Sequence, residues 1–141
     1  MTYGLTYLSG AMNTPNSAAI FSGIEQSLDS FGVTVHNPAD VAYGETDFAS
    51  LPAEGFRNGL TKLAEAESVF LFGDWRNARG CIAEIIAGAL IGCKFYVLDL
   101  NGLTEGRLKL TPLDITSDNL NKFAAELLTE QDERYKESIS G

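Results

Sequence analysis

Histidine is nearly missing from this chain, with one in 141 residues, and cysteine is scarce at two. A single imidazole does not complete a zinc site with Cys81 and Cys93 at any usual spacing, so neither a metal nor another cofactor is expected. The two thiols stand twelve residues apart in apolar surroundings and read as buried and unpaired in a reducing cytoplasm. Basic residues are few as well: ten Lys and Arg face nineteen Asp and Glu, a net charge of −9. That balance argues against a nucleic-acid polymer as partner, because a phosphate backbone needs clustered cations. A small phosphorylated ligand stays open, since two arginines in one pocket outweigh a global charge locally. No apolar run approaches the ~18 to 20 residues that span a bilayer, so no membrane partner is expected. The opening MTYGLTYLSG lacks the basic start of a secretory signal.

What the chain does have is apolar content, 45% hydrophobic and 10% aromatic, enough for one compact domain with a real core. Leu5 to Leu8 reads as a buried strand ending at Ser9-Gly10. Ala18, Phe21, Ile24, Leu28 and Phe31 recur at helical spacing, and Gly32 closes that helix. Val33 to Val35 reads as a short second strand, stopped by HNPAD, and residues 41 to 52 as a loop. Phe56, Leu60 and Leu63 mark a second helix, Val69 to Phe72 a third strand, residues 80 to 91 a third helix, and Cys93 to Leu100 a fourth strand. Gly102 to Pro112 is a loop or an edge hairpin, and Ser117 to about Glu133 a final helix. This alternation predicts an α/β single domain: a mainly parallel, Rossmann-like sheet of four to five strands with helices on both faces. Residues 1–100 carry the alternation, and 101–141 form a C-terminal extension that includes a helix.

In such a sheet ligands bind beyond the carboxyl ends of the strands. That rule singles out Ser9 to Asn16, His36 to Asp40 and Gly73 to Gly80. The first is neither a P-loop nor GxGxxG, so the usual nucleotide fingerprints are absent. It is either a turn capped by Asn16 or Ser17, or small residues that let backbone approach a ligand. In the second, Pro38 stiffens the strand exit, and Asp40 is either a cap or a ligand contact.

The third turn carries most. Trp75 is a lid on the core or an aromatic wall for a planar ligand. Arg76 and Arg79 are candidates for an anion or for surface caps, and Asp74 for a second carboxylate. Glu84 follows about one turn into the third helix, where the helix dipole favours an ionised carboxylate. At about 100° per residue, Ile82, Ile85, Ile86, Ala89 and Leu90 form the face expected to lie on the sheet, with Glu84 about 200° from Ile82. Glu84 then shares its side with Ala87, Gly88 and Ile91, so the helix is apolar nearly all round and a second body is expected to cover it. An acid on such a face is costly unless something pairs with it.

With these residues in hand, the chain resembles the nucleoside 2-deoxyribosyltransferase superfamily, and within it a small phage and bacterial branch, domain of unknown function 4406. The resemblance covers about residues 5 to 100 and rests on three ordered motifs: Tyr7-Leu8-Ser9-Gly10-Ala11-Met12, Asn37-Pro38-Ala39, and Trp75, Arg79, Gly80 and Glu84, followed by Ala89 and Gly92. Ala11 stands where the branch usually has proline, Glu67 where it has aspartate, and Gly73-Asp74-Trp75 where it has PGW. The resemblance implies a nucleoside deoxyribosyltransferase-like fold and an N-glycosidase or deoxyribosyltransferase acting on a (deoxy)nucleoside or its 5′-monophosphate. Glu84 would attack the anomeric carbon to give a covalent glutamyl-sugar, with Asp74 as a second catalytic group. Tyr7, Ser9, Gly10, Met12, Asp40, Trp75, Asn77, Arg79 and Gly80 would bind substrate, with Tyr7, Gly10 and Met12 walling the base. A homodimer or higher homo-oligomer is implied, in the cytoplasm, of a host if the chain is phage-encoded. The alternative is a non-catalytic nucleotide-binding protein, a sensor or sequestering factor using the same pocket.

Overall fold

The computed structural model describes residues 3–10, 17–36 and 53–140, with side chains at 3–10, 19–36, 59–78 and 80–133. Met12, Asp40, the Asn37-Pro38-Ala39 motif, the loop at 41–52 and the Arg79 side chain lie outside them. The elements run β1 (Thr6–Gly10), α1 (Ser17–Ser30), β2 (Val35–His36), α2 (Ala53–Glu65), β3 (Ser68–Phe72), a 3-10 turn (Trp75–Asn77), α3 (Arg79–Ile91), β4 (Lys94–Leu98), α4 (Leu100–Thr104), β5 (Leu110–Leu113) and α5 (Leu120–Ser140).

β1 and β3 are buried at every position, as strands covered on both faces must be. The sheet order is β2-β1-β3-β4-β5, parallel except for β5, which runs against β4 and pairs Pro112 with Tyr96. Because alternate side chains leave a strand on opposite faces, two cores form. Tyr7, Val69, Leu71 and Phe95 pack with Leu63 of α2, Cys81, Ile82, Ile85 and Ala89 of α3, and Leu120 and Leu127 of α5. Leu8, Phe70, Phe72 and Leu98 pack with Phe21, Ile24 and Leu28 of α1 and Leu103 of α4. The expected α/β domain, a mostly parallel five-stranded sheet with helices on both faces, is what forms.

The chain leaves β1 for β2 on one side, then crosses back to β3 on the other. The reversal makes the carboxyl ends of β1 and β3 the switch point of the sheet.

Several bounds differ from expectation: β1 runs from Thr6 to Gly10, and β4 stops at Leu98 with Leu100 already in α4. The second strand begins two residues late, because Val33 is spent on closing α1: its amide donates to the Leu28 carbonyl at 3.1 Å, around Gly32 at φ 78°. Residues 100 to 113 hold a short helix that was not expected and an edge strand antiparallel to β4, which is the edge hairpin of the two alternatives. Asp99 Oδ1 accepts from the Asn101 amide at 3.1 Å to start that helix, and Gly106, at φ 82°, turns the chain out of it. The final helix starts later and runs further, to Ser140. Its start is set by Asn119, which accepts from the Thr116 amide at 2.8 Å and donates to the Asp114 carbonyl at 2.7 Å, holding the turn before it.

Candidate active site

The carboxyl edge of β1 ends in Ser9 and Gly10, and that of β3 in Phe72 and Gly73. A Cβ on Gly10 would lie 2.5 Å from the Phe72 ring. Gly10 is therefore required by strand-to-strand packing inside the sheet, which differs from its expected place in a wall around a base. Gly73, at φ 63°, reverses the backbone out of β3. The chain then passes through the 3-10 turn into α3, which starts from Ala78 in extended conformation with no side-chain cap and stops at left-handed Gly92.

α3 lies on the sheet by a different arc from the one expected. Cys81, Ile82, Ile85, Gly88 and Ala89 are buried, while Leu90 is 69% exposed and Ile91 49%. A Cβ on Gly88 would come 3.0 Å from the Phe95 ring, so Gly88 belongs to the inner face, not the outer one. The inner arc is centred near Cys81 and Ile85, and at 100° per residue Glu84 falls on its rim rather than opposite it. A helix apolar all round carries little information about its own rotation, which explains the misplaced phase.

Glu84 consequently reaches back to β1. Ser9 Oγ donates to its Oε1 at 2.9 Å, and the Tyr7 hydroxyl supplies a second hydrogen bond. Burial pushes the carboxyl up to about 7, against the pull of the Tyr7 and Ser9 bonds, which favour the ionised form. The helix dipole does not decide the matter. Glu84 is the sixth residue of α3, past the first turn in which the dipole acts. Cys81 sits one turn before Glu84 on the same helix. Its thiol is pushed up to about 12 by burial and then by the Glu84 charge, partly offset by a hydrogen bond with Ser9. It stays protonated and is no nucleophile. Sequence reasoning took Cys81 only as a buried thiol; its place three residues before Glu84 was the available signal.

The remaining residues divide. Tyr7 is 1% exposed, its ring in the core and its hydroxyl on Glu84, so it offers no open aromatic wall. Trp75 is 5% exposed and packs among the residues that include Leu120 and Leu127; it is the core lid of the two alternatives, not a wall for a ligand. Arg76 lies 5.2 Å over the Trp75 ring and bonds Glu130 of α5 at 2.9 Å. Gln131 of α5 donates to the Arg76 carbonyl at 3.0 Å. Arg76 is thus engaged with α5 rather than held ready for an anion. Asp74 is exposed and accepts from Asn77 Nδ2; it is not among the groups that shift Glu84. Gly80 is exposed at the second position of α3.

A cleft of about 340 Å³, lined by residues that include Gly73, Leu98, Asp99 and Asn101, opens at the carboxyl ends of β3 and β4. Two larger cavities, about 570 and 580 Å³, lie at the opposite end of the parallel strands, remote from Glu84. Among the described residues no three His, Cys, Asp or Glu side chains gather in a metal-holding group, and no helix is long and apolar enough to cross a membrane.

No family model matches the chain, and no curated protein does. Solved structures do. A 2-deoxyribosyltransferase from the psychrotolerant bacterium Bacillus psychrosaccharolyticus superposes with a TM-score of 0.53 at 22% sequence identity, covering 73% of this chain and 82% of that one. At that identity the likeness is one of architecture, and the chain has a deoxyribosyltransferase-like fold.

Proposed function

We propose that this protein acts on the N-glycosidic bond of a (deoxy)nucleoside or its 5′-monophosphate, with Glu84 as the nucleophile. The observation that carries this reading is the Glu84 carboxyl itself, part-buried beside the switch point and held by Ser9 and Tyr7. A buried carboxyl with two donors aimed at it has a defined direction of attack, which a solvated surface glutamate lacks. The fold shared with a 2-deoxyribosyltransferase supports the substrate class, and the three ordered motifs support the small phage and bacterial branch.

Ionised Glu84 attacks C1′ through an oxocarbenium-like transition state as the C1′–N bond breaks. The base leaves with the bonding electron pair and is protonated from solvent, which regains a proton from the attacking water or second base. Water or a second base then attacks C1′, and the glutamate leaves as carboxylate. Arg79 and the N–H groups at the start of α3 take the 5′-phosphate in this reading, with Asp74 as the second catalytic group and Asn77 as a substrate contact. Because the carboxyl sits at about 7, the reactive form grows as pH rises through that value. The apolar outer residues Leu90 and Ile91 support a homo-oligomer.

The same raised carboxyl favours a second reading. A glutamic acid protonated near neutrality donates a hydrogen bond to a base edge without attacking its sugar, as a nucleotide sensor would require. Incubation with a panel of ribo- and deoxynucleoside monophosphates, followed by chromatography for free base, separates the two. Base release by the wild type and none by Glu84→Gln is the outcome expected. Intact nucleotide retained with no release would establish the binder.

A further inference from the structure

We infer that Ser9 is a positioning residue that aims the Glu84 carboxylate, and that it is not a substrate contact. The assignment rests on the reading of Glu84 as nucleophile, but its geometry stands apart from that reading. Ser9 is 1% exposed, so its side chain offers almost no surface to a ligand. A hydroxyl has one proton to give, and Ser9 gives it to Glu84 Oε1 at 2.9 Å.

The mounting is rigid. Ser9 lies in β1 opposite Leu71 of β3, on a strand buried at every position. Glu84 by contrast swings on several rotatable bonds from a helix. A fixed donor facing a mobile acceptor selects one rotamer and one oxygen, which is the task of a residue supporting a reactive group. The ionisable groups that face Glu84 among the described residues are Tyr7 from β1 and Cys81 from its own helix. Cys81 also bonds Ser9. The direction of the Ser9 effect agrees, since its bond favours the ionised carboxylate against burial.

The test is a titration of the Glu84 carboxyl itself, by carbon-13 NMR of protein labelled at glutamate, with the resonance assigned by its loss in Glu84→Gln. In Ser9→Ala the midpoint should move up by roughly one pH unit, about a tenfold loss of ionised carboxylate below the midpoint. Ser9→Cys, nearly isosteric and a weaker donor, should fall between and carries the test if Ser9→Ala does not fold. An unmoved or lowered midpoint in a folded variant overturns the inference.

A second arm uses base release. Ser9→Ala should shift the pH profile to the alkaline side and lower kcat while KM holds. A raised KM with an unmoved carboxyl midpoint would instead make Ser9 a substrate contact and refute the assignment. If the midpoint moves but wild type releases no base, Ser9 still positions Glu84 and only the nucleophile reading fails.

Discussion

Replacing Glu84 by glutamine should make the fold more stable at alkaline pH and leave it nearly unchanged at acid pH. The folded chain keeps the carboxyl protonated up to about 7, whereas an unperturbed glutamate lets its proton go near 4.5. Between those values the native state binds more protons than the unfolded state, so stability falls as pH rises. Below 4.5 both states are protonated and nothing is lost; above 7 the loss is complete. Ionising the buried group therefore costs the fold about 3 kcal/mol, a large share of the ~5 to 15 kcal/mol that holds a domain together. Glutamine keeps an acceptor for the Ser9 proton and has no charge to bury. Denaturant unfolding of both proteins, under reducing conditions at several pH values from 4 to 8.5, measures the difference directly. The ceiling of 8.5 stays below the usual 9.0 of the Cys81 thiol, so its contribution is small across the range. The difference should grow with pH and level off past 7. If it is flat across the range, or if the glutamine variant loses ground as pH rises, the buried-carboxyl account is wrong.

Gly10→Ala places a methyl group 2.5 Å from the Phe72 ring and should cost about 1 to 3 kcal/mol by overpacking; combining it with Phe72→Leu should recover part of the loss in the same unfolding assay. Trp75→Ala empties the space under the Arg76 guanidinium and should cost about 3 to 5 kcal/mol, read as a lowered melting temperature. Both cysteines are buried and free, and burial raises both thiols, so a thiol-labelling reagent at pH 8 should react slowly with native protein and at once after unfolding. Light scattering of the purified protein should give a mass above the 15.2 kDa of one chain, and Leu90→Glu should return it to that mass.

How much of this could be seen beforehand depended on how uneven the local sequence was. β1 and β3 are short apolar runs between turn residues, and α1 repeats Phe21, Ile24 and Leu28 at spacings that only a helix aligns, so fold class followed from them. Glu84 stood out because it is the one acid in an apolar helix. The same uniformity hid which way the helix faces, and so concealed that Ser9, Tyr7 and Cys81 surround the carboxyl. Rotation was decided by Gly88 against Phe95, a contact between elements that no local pattern reports. Trp75 was legible as a core lid or a ligand wall but not as which of the two, because the residues that cluster with it include Leu120 and Leu127, more than forty positions away. Short elements failed for a plainer reason. α4, with five residues, is too brief for a period to register, and only Asp99 and Gly106 punctuate it.

The clasp between α5 and the turn at Trp75 bears on how the protein is made. Tyr7, Ser9, Cys81 and Glu84 all leave the ribosome before the helix that braces their neighbourhood has been synthesised. Until Glu130 and Gln131 arrive, the Arg76 guanidinium over the Trp75 indole lacks its carboxylate and the Arg76 carbonyl its donor from α5. A chain cut near residue 100 would hold every one of those groups without the α5 bonds that tie down the turn leading into α3.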